Sequence, residues 1–385
     1  MVKAKPKVIV YISSDSGGIA EYAVCQCKAL MKLGVDVISL VSPEFLEGRQ
    51  SGLMNTVCLM APPEKGGTRF VKGVGMLWRS MANRFILAWQ ICKHRPDLVL
   101  LDTYVEYFSP FWIWPHWLLS KLGIRYGANL HDPVRNFVVG PVWWHRLSVR
   151  MAYLPLEFVT VHHRLEEPSV VPPSVRVIEV PHGLYEVSMD GSDPEIVRAE
   201  WGVKEGQTVF LSFGYVRDNK NLNLVIQALA LIPEGFLVVA GSVASSSDKP
   251  FSYYRRMAAR LGVSDRCYFA EGFVSDEELV KYFAGSDIVM LTYSASFYSQ
   301  SGVLSIAASA RKPVIASAGP SPLIDAVSNY HLGVTVLPDS EAALVEGMKC
   351  ILSKKMEPLW DEYEAAASWD VNVRKILHEA GLSGS

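Results

Sequence analysis

Two short stretches hold the residues best suited to chemistry. The first is Phe213-Gly214-Tyr215-Val216-Arg217-Asp218-Asn219-Lys220-Asn221, between an apolar run and a helical pattern. Arg217 and Lys220 stand three residues apart in it. Arginine offers a planar fork for phosphate and lysine a compact charge. A loop at the carboxyl end of a strand is where ligands bind in open α/β sheets. A solvated loop is the plainer reading, but the position favours an anion site. The second is Tyr298-Ser299-Gln300-Ser301-Gly302-Val303, which leads into a helical pattern ending near Ala310. Its small polar residues offer backbone amides and the positive end of a helix. Simple N-capping by Ser299 or Ser301 is compatible with that role.

Other candidates are weaker. Ser13-Ser14-Asp15-Ser16-Gly17-Gly18 lies between the first strand and the first helix, and paired glycines allow close backbone approach to an anion. A tight strand-to-helix turn explains it equally well, and it is not a GxGxxG fingerprint. His131, in Leu130-His131-Asp132-Pro133, can titrate near neutrality. His182 lies in Pro181-His182-Gly183, and the His162-His163 pair lacks any spacing for metal. The six cysteines form no CxxC pair and read as free thiols in a reducing cytoplasm.

These loops need a scaffold, and the apolar periodicity supplies one. Strands are expected at 7–13, 35–41, 97–101, 126–130, 158–161 and 175–180, and again at 208–213, 236–240, 267–269, 288–291 and 313–316. Helical patterns alternate with them, at 20–33, 223–231, 253–261, 276–283 and 303–310. This βαβ rhythm, broken near 185–193 and then restarted, predicts an α/β fold with two doubly wound parallel sheets. The chain has 385 residues, net charge −2 and 50% hydrophobic residues. That excludes wholesale disorder and a polybasic nucleic-acid binder. The N-terminal apolar run reads as a buried strand rather than a signal peptide. No run is long enough to span a membrane; 108–119 is short and holds Pro110 and Pro115.

Taken in order, the motifs resemble the GT-B glycosyltransferases of group 1, the nucleotide-sugar-dependent family 4 type. The matching pieces are Gly17-Gly18, His131, Val180-Pro181-His182-Gly183, the loop from Gly214 to Lys220, and Ala240-Gly241-Ser242. They continue with Gly272-Phe273-Val274, Asp276-Glu277-Glu278-Leu279, Ser286-Asp287, Gln300-Ser301-Gly302-Val303, Lys312-Pro313-Val314-Ile315 and Ser368-Trp369. Each is weak alone; their order over nearly the whole chain is specific. The resemblance implies two Rossmann-like domains facing across a cleft: an acceptor domain over 1–185, a donor domain over 186–362, and a C-terminal helix over 363–385 returning toward the first domain.

It also implies roles. Arg217 and Lys220 grip the donor diphosphate and offset charge on the leaving phosphate. Gly17, Gly18, Gly214, Gln300, Ser301, Gly302 and Val303 help bind the donor, Phe273 and Val274 line the base pocket, and His131 sits near the transferred sugar. The donor is a UDP- or GDP-linked sugar, with no other cofactor and no metal. The expected activity is a retaining, metal-independent hexosyl transfer to a glycan or lipid-linked acceptor in cell-surface polysaccharide or glycoconjugate biosynthesis, on the cytoplasmic side. A sugar-nucleotide epimerase of the same architecture and a catalytically inert scaffold subunit are the alternatives.

One departure stands out. The family commonly carries two glutamates before the Lys-Pro-Val-Ile strand; the corresponding positions hold Tyr298 and Ile306. Glu271 or Glu278 would be the substitutes. Another feature concerns partners. Seven of the ten tryptophans (Trp78, Trp89, Trp112, Trp114, Trp117, Trp143 and Trp144) lie in the first half, and 66–95 carries six Lys/Arg and no Asp or Glu. Such a segment suits an anionic membrane surface. A core helix with a solvated basic face is the other reading, and the aromatic rings could equally stack on sugars.

Overall fold

The structure is a computed structural model. It describes residues 5–14, 17–48, 53, 55–60, 69–102, 104, 108–131, 141–162, 171–185 and 191–382. Asp15, Ser16, Asp132, Pro133, His163, the start of the 66–95 segment and most of 185–193 lie outside them. The chain divides into two compact units: Met1–Gly183 with Ser368–Ser385, and Leu184–Ala367.

The first unit runs β1 (Lys7–Ile12), α1 (Gly17–Lys32), β2 (Asp36–Val41), α2 (Pro43–Gly48), β3 (Thr56–Cys58), α3 (Arg69–His94), β4 (Leu98–Leu101), α4 (Ser109–Lys121), β5 (Arg125–Asn129), α5 (Val142–Ala152), β6 (Phe158–Val161) and β7 (Arg176–Glu179). Among the described residues its strands form a seven-stranded parallel sheet, ordered β3-β2-β1-β4-β5-β6-β7. Parallel strands are buried on both faces, which is why they read as continuous Val/Ile/Leu runs. In β1, Val8, Val10 and Ile12 pack on one side, with α1. Ile9 and Tyr11 pack on the other, with residues of α3, α4 and α5.

The second unit runs α6 (Pro194–Trp201), β8 (Thr208–Phe213), α7 (Leu222–Ala230), β9 (Gly235–Gly241), α8 (Phe251–Arg260), β10 (Cys267–Glu271), α9 (Asp276–Gly285), β11 (Ile288–Thr292), α10 (Gly302–Ser309), β12 (Val314–Ser317), α11 (Pro322–Asn329), β13 (Gly333–Thr335), α12 (Glu341–Ser353) and α13 (Trp360–Ala366). Its parallel sheet is ordered β10-β9-β8-β11-β12-β13. α14 (Trp369–Glu379) closes the chain and packs on α1 in the first unit. Its approach is tight: a Cβ at Gly183 would collide with the Trp369 ring.

The eleven expected strands are present, and among the described residues two more join them. The short edge strands β3 and β13 have too few apolar residues to announce themselves. The proline-bearing stretch at 108–119 is a helix, α4, with Pro110 in its first turn, where a missing amide is harmless, and Pro115 inside it. No helix among the described residues is long and apolar enough to cross a membrane.

Strand order also locates the sites. In each sheet the order reverses beside the first strand, between β1 and β4 and between β8 and β11. Loops leaving the carboxyl ends of those strands diverge and leave room for a ligand.

Candidate functional site

In the second unit the loop after β8 continues to hydrogen-bond with the end of β9. Gly214 N donates to Ala240 O at 2.9 Å and Val216 N to Ser242 O at 2.8 Å. Both glycines at this crossing are required. Gly214 has φ +86° and Gly241 φ +147°, and a Cβ at Gly241 would collide with the Gly214 carbonyl. The chain then makes a 3₁₀ turn over Asp218–Lys220. This turns Lys220 back toward the strand, where its Nζ donates to Phe213 O at 2.8 Å.

Lys220 is half-buried, and its Nζ lies 5.9 Å from the centre of the Tyr293 ring. Burial and the neighbouring Arg217 charge lower its pKa to about 8. The nearby carboxylate of Asp218 is occupied by Lys249 at 2.9 Å. Among the described residues, neither Arg217 nor Lys220 pairs with a carboxylate. The two cations lie close enough to act on each other, and Arg217 also acts on the carboxylate of Asp248.

The helix start at α10 completes the arrangement. Ser301 occupies the N-cap position, but its side chain does not cap; its hydroxyl lies 2.9 Å from that of buried Tyr293. Gln300 Oε1 accepts the Ser301 amide at 3.2 Å, and its side chain also bonds Tyr363. Val303 reaches within 3.8 Å of the position a Gly214 side chain would take. Gly214, Lys220, Ser301, Gly302 and Val303 are thus brought together, and Arg217 borders them. A helix start beside two cations is suited to a phosphate group.

Gly272 N donates to Gly241 O at 2.8 Å, which places Phe273 and Val274 at the neighbouring strand end. Phe273 is 89% exposed, whereas Val274 is partly buried and packs against the core. Glu278 is no substitute for the missing glutamates. Its Oε2 accepts from Ser275 N at 3.0 Å and Ser275 Oγ at 3.1 Å, in a capping box that starts α9. Tyr298 is exposed, and Ile306 packs against the core.

The first unit carries a separate polar site. His131 follows β5, and its Nε2 lies 3.6 Å from Asp102 Oδ1 at the end of β4. Asp102 is fully buried, and among the described residues its Oδ2 and His131 Nε2 lack hydrogen-bond partners. Asn129 Nδ2 donates to Asp102 Oδ1 at 3.1 Å and to Gln26 Oε1 at 2.9 Å. Gln26 Nε2 donates to Asn372 Oδ1 at 3.0 Å, and Asn372 Nδ2 to Tyr22 OH at 2.8 Å. The Tyr22 ring lies against His131, His162, His182 and Trp369.

Burial lowers the pKa of His182 to about 4 and that of His162 well below the usual histidine value. Asp102, Gln26, Asn129 and Tyr22 carry no motif; only the fold reveals them. His162, discounted from the sequence, stands inside this cluster. Among the described residues no group of His, Cys, Asp or Glu is arranged to hold a metal. Gly17 opens α1, and Gly18 is exposed with open space where a Cβ would stand.

The model of the family described as "Glycosyl transferases group 1" matches residues 193–375. The chain carries a group 1 glycosyl transferase domain. The cationic loop after β8 and the start of α10 both lie inside it. Over the whole chain the fold is GT-B, as the solved structures it resembles show. A glycosyltransferase from Rickettsia africae aligns over 100% of both chains, with TM-score 0.73 and 16% identity. The Anabaena protein HepE, in complex with UDP, aligns over 98% of both, with TM-score 0.69 and 16% identity. A sucrose-phosphate synthase from Thermosynechococcus elongatus covers 97% of this chain and 98% of its own, with TM-score 0.66 and 18% identity. No curated protein sequence matches the chain at a significant level. At these identities the likeness is one of fold.

Proposed function

We propose that this glycosyltransferase moves a hexosyl or related group from a UDP- or GDP-linked sugar to a glycan or lipid-linked acceptor. The reaction is metal-independent and retaining, and serves cell-surface polysaccharide or glycoconjugate synthesis. The protein works in the cytoplasm, peripheral to the inner face of the plasma membrane. The observation that carries this reading is half-buried Lys220 beside Arg217 and near the start of α10, with no described carboxylate in an ion pair with either. Removing a cation from water is unfavourable unless an anion offsets it. A donor diphosphate does so, and the same groups stabilise the charge that develops on it as the glycosidic bond breaks.

Phe273 and Val274 contact the base, and Gly17 and Gly18 keep the start of α1 open for phosphate. His131 serves the transferred sugar, and buried Asp102 orients it. That HepE was solved with UDP, and in another structure with UDP-glucose, supports a uridine donor. Tyr298 and Ile306, standing where the family has glutamates, are the one feature that favours a non-catalytic subunit.

A panel of UDP-, GDP- and ADP-sugars, scored for nucleotide release and for a rise in Tm, separates these readings. A transferase releases nucleotide from one donor when acceptor is supplied. A non-catalytic subunit binds without release, and an epimerase interconverts sugars without needing acceptor. The double variant Arg217→Ala/Lys220→Ala should abolish donor binding in calorimetry; unchanged binding would refute the donor-loop assignment.

A further inference from the structure

The first unit turns an apolar face to solvent where a sheet-covering helix should be polar. α3 buries Leu87 and Ile91 against the sheet. On another face it exposes Trp78, Phe85 and Trp89, spaced seven and four residues apart and so aligned at helical periodicity. Trp78 and Trp89 are 64% and 68% exposed. α4 packs against both α3 and α5. It buries Trp112 and Ile113 while exposing Phe111, Trp114 and Leu118, again on one stripe. On α5, Trp143 is 66% exposed, and the Phe111 ring lies 5.5 Å from that of Trp144. The three outward stripes therefore lie on neighbouring helices. Exposed aromatic clusters of this kind mark an interaction surface rather than a solvated one.

Charge selects the partner. The whole chain is nearly balanced, with 37 Lys and Arg against 39 Asp and Glu. Yet α3, α4 and α5 contain no Asp or Glu. Lys93, Lys121, Arg146 and Arg150 are exposed on them. A second copy of this face would set cation against cation. Tryptophan and basic side chains together favour the headgroup level of a bilayer.

We propose that α3, α4 and α5 form a docking face for an anionic lipid surface, with Trp78, Trp89 and Trp143 entering the headgroup region and the basic residues meeting lipid phosphates. Attachment is interfacial, since no described helix can span. This deepens the reading of a lipid-linked acceptor, on which its biological sense rests, but the binding itself does not require it.

The test is co-sedimentation and tryptophan emission with two vesicle types, phosphatidylcholine alone and phosphatidylcholine with phosphatidylglycerol. The wild-type chain should bind the anionic vesicles at low salt, with a blue-shifted emission, and release them as salt rises. The triple variant Trp78→Ala/Trp89→Ala/Trp143→Ala should partition roughly 10- to 100-fold less. Its Tm and its nucleotide-sugar binding should be unchanged, since all three are exposed and belong to the first unit, whereas the donor loop belongs to the second. A second variant, Arg146→Glu/Arg150→Glu, should lose the preference for phosphatidylglycerol.

No binding at low salt would overturn the proposal, as would equal binding to both vesicle types. So would a dimer, or capture of an acidic protein, that the triple variant abolishes while vesicle binding persists. Lys220→Ala should bind vesicles normally. A failure of the donor reading thus shows in calorimetry alone, and a failure of this proposal in the vesicles alone.

Discussion

Lys220 Nζ donates to the carbonyl oxygen of Phe213, 2.8 Å away, so the side chain folds back over the end of its own strand. That bond holds a cation in a place it would otherwise leave for water. It fixes the ammonium beside Tyr293 and keeps the Arg217 charge close enough to act on it.

The first prediction follows from that charge. Lys220 in the free protein has a pKa of about 8 against 10.5 unfolded. Its charge is present below pH 8 and lost above it. Calorimetric titration with UDP should therefore show about ten-fold weaker binding per pH unit above that point, until the bound form also titrates. Lys220→Met should weaken binding at neutral pH and flatten the profile. The same shift has a stability consequence of opposite sign. Between about 8 and 10.5 the unfolded chain holds more protons, so native stability gains as pH rises through that window. Urea unfolding of wild type and variant checks it; identical pH slopes would count against it.

Tyr293 and Ser301 provide the second prediction. Their hydroxyls, 2.9 Å apart, tie the end of β11 to the start of α10. Tyr293→Phe should cost about 1 kcal/mol of stability, typical of a lost buried hydrogen bond. Donor affinity should fall with it, because the amides of α10 are less well held. Ser301→Ala should do the same, and the double variant should be little worse than either single one. Additive losses in a double-mutant cycle would argue that the two hydroxyls act independently.

The third concerns Asp102. It is fully buried and 3.6 Å from His131 Nε2. Asp102→Asn keeps the shape but removes the charge. We expect kcat to fall roughly 10- to 100-fold with the KM for donor unchanged, and His131→Ala to act alike. A matching rise in donor KM, with kcat intact, would place both residues in binding instead.

The fourth is a pH limit on the fold. His182 is held to about 4 by burial, against 6.5 unfolded, and His162 is lowered in the same direction. Between 6.5 and about 4 the unfolded chain binds more protons, so stability is lost as pH falls through that window. His182→Gln should shrink the drop in urea midpoint between neutral and mildly acidic buffer. An unaltered drop would assign the acid sensitivity to other groups.

Much of the framework was legible without the fold. The strands 158–161 and 208–213 coincide with β6 and β8, because buried parallel strands are unbroken apolar runs. Arg217 and Lys220 stood out because a loop at a strand's carboxyl end is a local feature of the chain. Ser301 shows the limit of local reading. Its position at a helix start was clear, but its hydroxyl turned to Tyr293 rather than to the helix amides. Glu278 shows the same from the other side: a four-residue capping box, Ser275 to Glu278, claims the carboxylate.

By itself, then, the amino-acid order determined what depends on neighbours in the chain: helix and strand periods, two doubly wound sheets, and a cationic loop at the first strand of the second sheet. Tertiary structure alone decided what depends on residues far apart. Gln26 meets Asn372 across 346 positions, and Asp102 meets His131 only because β4 and β5 lie side by side. It also decided which tryptophans are core: Trp112 is buried and Trp114, two residues on, is half-exposed, because their side chains point to opposite sides of α4. Composition counts such residues alike; only packing against the sheet tells the two faces apart.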